Sequence, residues 1–229
     1  MRFLNALKSD IIFQFKHGFY AIYSVLTLFY VLILTYIPKE FSDIIAPLII
    51  VSDPSLLGFF FIGGILMLEK TQGILDYLLV SPLHIFEYLL AKMTSLTLIA
   101  LFSSLIIAYS SGLSFNPFVL TLIIIIISSF FTLLGFIVAL QCETINQYFV
   151  KIIPSIILLI VPCMLLFVVN DLLIIKLIPS VASIYLILGV FQGIYLWEFL
   201  IYSTSLIIFI ILCFSYIKKY IFKILYGGK

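Results

Sequence analysis

Residues 118–140 read FVLTLIIIIISSFFTLLGFIVAL, without one charged side chain. A backbone segment that apolar, placed where no water reaches it, must satisfy its N–H and C=O groups internally, which an α-helix does by itself. Comparable runs recur at about 19–37, 54–72, 93–111, 152–169 and 199–217. At ~1.5 Å per residue the 54–72 run covers about 28 Å, close to the hydrocarbon thickness of a bilayer. The pattern predicts an all-α integral membrane protein with six transmembrane helices. Hydrophobic residues make up 65% of the 229 positions and charged residues only 10%, where a soluble domain carries about a quarter. No soluble domain is expected, and the chain is read as one transmembrane domain over 1–229.

The positions of the charges orient it. With six spans both termini share one side, which then carries Arg2, Lys8, Lys16, Lys70, Lys92, Lys151, Lys218, Lys219, Lys223 and Lys229, while Lys39 and Lys176 lie opposite. That asymmetry predicts a multi-pass cell-membrane protein with both termini cytoplasmic. A further span in 171–197 would carry the C-terminal lysines outside. This stretch is therefore expected to be a re-entrant pair of short helices before the sixth span, packed against protein in the outer leaflet. Residues 1–18 place Phe3, Leu4, Leu7, Ile11, Ile12 and Phe15 on roughly one half of a helical wheel and predict an interfacial helix, with Gln14 intruding on the apolar side. Residues 44–51 are expected at the opposite interface, residues 141–151 as a polar connection, and 218–229 as a basic cytoplasmic tail. Pro154 and Pro162 predict a kink in the fifth span.

The concentrated break in this apolarity lies at 69–92. Asp53 and Pro54 pair an N-cap with a first-turn proline and are expected to open the second span. Gly73 is expected to stop it. Residues 74–80, ILDYLLV, are too short to cross a bilayer and predict a small helix along the cytoplasmic surface. Ser81 and Pro82 repeat the cap-and-proline device and are expected to start a helix carrying Glu87 and Lys92 into the third span.

Catalytic chemistry finds little material. Ser103, Ser104, Ser128 and Ser129 have no histidine or lysine beside them at depth, and small polar residues in spans serve helix packing. Central carboxylates of the kind a proton- or sodium-coupled carrier needs are missing. Asp53, Glu69, Lys70, Glu143 and Glu198 are each accounted for by a helix end, a loop or an interface. Two histidines, with no HExxH or CxxC spacing, leave no metal site expected. Cys142, Cys163 and Cys213 lie in or beside apolar runs as small hydrophobes. No enzyme activity, cofactor or nucleic-acid partner is expected.

The turn Glu69-Lys70-Thr71-Gln72-Gly73, followed by Leu78-Leu79-Val80-Ser81-Pro82-Leu83, then Glu87-Tyr88-Leu89-Leu90 and Lys92, resembles the permease subunits of ABC type-2 exporters. DPSLLGFFFIGG followed by LEK is most similar to the small six-span fluoroquinolone or drug-export permeases. Ile74 stands where that family often has threonine.

The resemblance implies a half-transporter. Two permease copies, identical or paralogous, would form the pathway for a drug-like, peptide or lipid-like substrate, driven by separate cytoplasmic ABC ATPase subunits. The chain itself has no Gly-x-x-x-x-Gly-Lys followed by Ser or Thr with which to bind ATP phosphates. The N-terminal helix and residues 74–80 would touch the ATPase. Glu69 and Gly73 would carry the force, Leu75, Tyr77, Leu78 and Leu79 the apolar contact, and Ser81 and Pro82 the start of the following helix. The competing reading is a non-transporting membrane protein, an immunity or assembly factor that binds a partner through the same segment.

Overall fold

The computed structural model describes residues 2–52, 57–74, 83–165 and 173–226, and the described residues are all helix and connection. Ten helices follow in order: α1 (Arg2–Lys16), α2 (Phe19–Tyr36), α3 (Lys39–Ser52), α4 (Gly58–Thr71), α5 (Ile85–Ser110), α6 (Pro117–Leu140), α7 (Ile145–Leu165), α8 (Leu173–Lys176), α9 (Pro179–Gln192) and α10 (Leu196–Tyr226). Five of them, α2, α5, α6, α7 and α10, are long and apolar enough to cross a membrane. The remaining expected span is α4, whose described part has 14 residues, about 21 Å at the α-helical rise. Asp53 and Pro54, expected to cap it, lie outside the described residues.

Local chemistry sets most of the boundaries. Gly18, between α1 and α2, adopts φ +77°, a left-handed conformation that costs glycine little. Asn116 caps α6 by accepting from Phe118 N–H at 3.0 Å and Val119 N–H at 3.4 Å, with Pro117 in the first turn. Several boundaries move from their sequence expectation. The third span is the inner part of one continuous helix, α5, capped at His84, whose backbone N–H is accepted by Glu87 Oε2 at 3.0 Å. The capping device thus works three residues beyond Ser81, and Ser81 and Pro82 themselves fall outside the described residues. Helix α7 begins at Ile145, because Thr144 and Gln147 supply the hydrogen bonds of a helix start within what reads as a polar connection. The basic tail continues α10 as helix through Tyr226.

Helix α6 is the axis. It packs along α4, α5 and α10, with α7 and α9 touching its ends. Two apolar layers are strung along it. One, around Phe59, Ile62, Leu66, Leu89, Phe136 and Tyr148, joins α4 to the first half of α5, the second half of α6 and the C-terminal half of α10. The other, around Ile107, Ile123, Ile124, Leu186, Ile187 and Leu206, joins the opposite halves of those long helices to α3 and α9. The short pair α8 and α9 therefore belongs to the end of the bundle remote from α1. Helix α9, with 14 residues, is too short to cross and is buried between α3 and α10, as the re-entrant expectation requires.

Backbones approach most closely between α4, α6 and α7. A Cβ on Gly135 would sit 2.5 Å from Phe59 O and from Ile62 Cγ2, and one on Gly63 would fall 1.8 Å from the Tyr148 ring. Tyr148 O–H donates to Phe59 O at 2.5 Å, so a buried phenol from α7 occupies the space that Gly63 leaves. Association of membrane helices depends on such contact, since lipid is as apolar as the helices themselves. Gly135→Ala should lower stability by about 1–3 kcal/mol through overpacking. Gly64→Ala, whose Cβ meets only Phe19 at 3.7 Å, should be neutral or slightly stabilising. Thermal unfolding midpoints of the two variants in detergent check this, and equal midpoints would contradict the packing described.

Candidate functional site

The last turn of α4 carries several polar contacts to other helices. Gln72 N–H donates to Leu68 O at 3.0 Å and Gly73 N–H to Lys70 O at 3.1 Å, and Gly73 adopts φ +68°. A left-handed glycine closing a helix in this way is the stop expected for the span. Leu75, Tyr77, Leu78 and Leu79, together with Ser81 and Pro82, lie outside the described residues.

Glu69, in that last turn, is not a solvated helix-end charge as its position suggests. It is 4% exposed and faces α5. Tyr88 and Lys92 are spaced i and i+4 on α5 and therefore share a face. Tyr88 O–H donates to Glu69 Oε2 at 2.6 Å, and the Lys92 ammonium pairs with Glu69 Oε1. The same ammonium, 1% exposed, pairs with Asp10 Oδ1 of α1 at 2.5 Å. It lies 5.2 Å from the centre of the Tyr88 ring and 5.8 Å from that of Phe13, placements in which an aromatic face adds attraction. One buried cation thus joins three helices.

This arrangement adds to the reading of α1 as an interfacial helix. The residues it buries in the protein are Asp10 and Gln14. Leu4 and Phe15 are 63% and 73% exposed. The reason is the complementary polarity of α5: Gln14 Nε2 donates to Ser95 Oγ at 2.8 Å, one turn beyond the Lys92–Asp10 pair. The apolar side of α1 is left facing outward, as an interfacial helix requires. Burial pushes the Asp10 carboxyl up to about 6, against the pull of Lys92 and with Glu69 adding to the rise.

Two further contacts tie the same turn outward. His17 Nδ1 lies 2.8 Å from Phe13 O, which assigns the proton to Nδ1 and leaves Nε2 to accept from Gln72 Nε2 at 3.2 Å. Lys70 Nζ donates to Cys142 O at 2.5 Å, beside Lys151 Nζ on Gln141 O at 2.6 Å. Those carbonyls follow the end of α6, where the helix leaves its acceptors without internal partners. Among the described residues no group of three His, Cys, Asp or Glu is placed to hold a metal ion. The arrangement is a mechanical junction: a helix end pinned on one side to α1 and α5 and on the other to the α6–α7 elbow.

Of the sequence-derived residues, Glu69 and Gly73 fall in this junction, and Asp10, Tyr88 and the pairing role of Lys92 were not anticipated. A detectable signal existed. Asp10 is the one acidic residue of α1, and no charged residue lies between Lys92 and Glu143.

A family model described as the fluoroquinolones export permease protein family matches residues 1–225. The chain belongs to that family. It is 28% identical over 163 residues to "Fluoroquinolones export permease protein MT2761" of Mycobacterium tuberculosis (strain CDC 1551 / Oshkosh), covering 70% of this chain and 69% of the relative. The same figures hold for "Fluoroquinolones export permease protein Rv2687c" of strain ATCC 25618 / H37Rv. No solved structure matches. This family member is thus a multi-pass membrane protein and a permease.

Removing one partner from a buried ion cluster leaves the others uncompensated, at a cost of about 3–5 kcal/mol. Lys92→Met in this permease should therefore lower stability by that order. Adding Asp10→Asn and Glu69→Gln, which removes the stranded charges, should recover most of the loss. Thermal unfolding of the single and triple variants in detergent checks the difference, and no recovery in the triple variant would contradict a charge-based origin.

Proposed function

We propose that this chain is the membrane-spanning permease subunit of an ATP-driven ABC exporter, acting as one of two copies or with a paralogue and driven by a separate ATPase subunit. The family match over residues 1–225 carries this reading. The geometry adds support. The end of α4 has the fixed attachments a force-receiving element needs, and the segment that follows it, 74–82, is the one whose sequence resembles the coupling region of ABC type-2 permeases. The basic residues Arg2, Lys8, Lys16 and Lys70 then face the cytoplasm with both termini, in a bacterial cell membrane. The relatives' names make a fluoroquinolone or a similar amphipathic aromatic drug the first substrate to try.

Transport follows from a division of labour. The ATPase supplies work at 74–82 and α1, Glu69 and Gly73 pass it to α4, and the packed pair α4–α6 carries it into the bundle. Nothing in this chain needs to bind nucleotide.

Co-expression with the ATPase encoded beside it should yield a complex that hydrolyses ATP and exports norfloxacin from cells or accumulates it in inverted vesicles. Gly73→Pro cannot adopt φ +68° and lacks the N–H that bonds Lys70 O. That variant should insert in normal amount, keep basal hydrolysis and lose at least about tenfold of its transport, the scale of a lost coupling free energy above ~1.4 kcal/mol. Absence of any co-purifying ATPase would overturn the exporter reading. Undiminished transport by Gly73→Pro would overturn the role of the turn alone.

A further inference from the structure

The charges of the buried cluster do not balance. Asp10 and Glu69 bring two carboxylates to one ammonium, Lys92, and all three side chains are buried. The imbalance can be located. Glu69 has a donor on each oxygen, Tyr88 O–H and the Lys92 ammonium. Asp10 has Lys92 on Oδ1, while its Oδ2 is buried and has no partner among the described residues. One turn along the same face of α1, Gln14 Oε1 is likewise buried and without a partner. Two acceptors thus lack a donor beside an excess negative charge, a combination that is costly in a low dielectric.

Among the described residues no other group supplies the balance. The titratable and charged side chains facing Asp10 are Lys92 and Tyr88 from α5 and Glu69 from α4. Helix α2, also packed on α1, contains no Asp, Glu, Lys, Arg or His.

We propose that Asp10 is the positioning residue that keys α1 to the end of α4, and that it does so as the neutral acid, with one proton from solution on Oδ2. Protonation makes the cluster one acid, one ammonium and one carboxylate, of net charge zero, and adds the donor that the Asp10 and Gln14 oxygens lack. Loss of that proton returns a buried charge and loosens α1 from α5. Because α1 reaches the α4 end through Lys92 and through His17 on Gln72, loosening α1 frees the turn at Glu69–Gly73. The inference deepens the exporter reading by giving the coupling turn a pH-dependent lock.

The sign follows from linkage. The seated carboxyl titrates at about 6, against 3.8 when free, so the seated state binds the proton more tightly and raising the pH opposes seating. Between pH 5 and 7.5 the equilibrium for lifting α1 should shift by about tenfold toward the lifted form.

Amide hydrogen exchange on the permease alone in lipid nanodiscs, corrected for the intrinsic pH dependence of exchange, reads this directly. Protection across 2–16 should fall about tenfold from pH 5 to 7.5, with the last turn of α4 falling in parallel and the centre of α6 unchanged. Asp10→Asn, a neutral isostere, should hold α1 protected and flat over that range. A flat wild-type profile would overturn the proposal, whatever the behaviour of the variant, and so would a slope that persists in Asp10→Asn. A slope in α1 with none at the α4 end would overturn the keying. No ATPase enters this experiment, so its failure and that of the exporter reading are separable.

Discussion

One ammonium, that of Lys92, holds three helices together at one end of the molecule. A lysine carried into an apolar bundle is tolerable only if partners meet it there, and the partners come from two other helices, Glu69 on α4 and Asp10 on α1. Withdrawal of α4 would leave the ammonium without the Glu69 carboxylate in an interior of low dielectric, and withdrawal of α1 would remove the second oxygen that it bonds. The three helices are therefore specified as a set, more sharply than apolar contact could specify them, since lipid competes equally well for apolar faces. The phenol of Tyr88 completes the set by occupying the second oxygen of Glu69.

Away from that end the structure depends on shape. Helices α5 and α6 are largely enclosed, while α2, α7 and α10 expose long rows of Ile, Leu, Val and Phe. Such exposure would condemn a soluble domain and is ordinary where the surroundings are acyl chains. Enclosure is achieved with small residues at the crossing points, Gly63 beneath the Tyr148 ring and Gly135 against Phe59. Hydroxyl pairs such as Thr27 with Ser103 at 2.8 Å, and Thr97 with Ser128 at 3.2 Å, satisfy polar groups between helices. Ser103 and Ser128 thus each hydrogen-bond across a helix crossing.

What could be read from the residues, and what could not, divides along the range of the physics involved. The long apolar helices, the stop at Gly73 and the short apolar helix before the last span rest on local composition and periodicity, and the fold agrees with them. The helix start at His84 lies three residues beyond the Ser81–Pro82 signal because Glu87 caps His84, and α7 starts at Ile145, ahead of the apolar run at 152–169, because Thr144 and Gln147 supply its first hydrogen bonds. The partners within the ion cluster are not legible in the sequence, for a different reason. Asp10, Glu69 and Lys92 are separated by up to 82 positions, and each alone has an adequate surface explanation: a polar residue on an amphipathic wheel, a helix end, an inside lysine. Only the crossing of α1 over α5 brings them together, and nothing local encodes that crossing.

The sequence Glu69-Lys70 then acquires a meaning beyond either residue. Neighbours on a helix point about 100° apart, so the two side chains leave α4 in different directions, Glu69 toward Lys92 and Lys70 toward Cys142 O beyond the end of α6. A displacement applied to the chain just after Gly73 cannot rotate or lift the last turn of α4 without pulling on both. Through Lys92 it loads α5 and α1, and through Cys142 it loads the elbow from which α7 departs. The left-handed Gly73 concentrates that loading, since the chain leaves the helix axis immediately after the last hydrogen-bonded turn. A single turn of helix is thereby connected to five of the ten described helices, counting α4 itself and the ends of α6 and α7. That is the geometry required of any element that must convert a push at one membrane surface into a rearrangement of the spans.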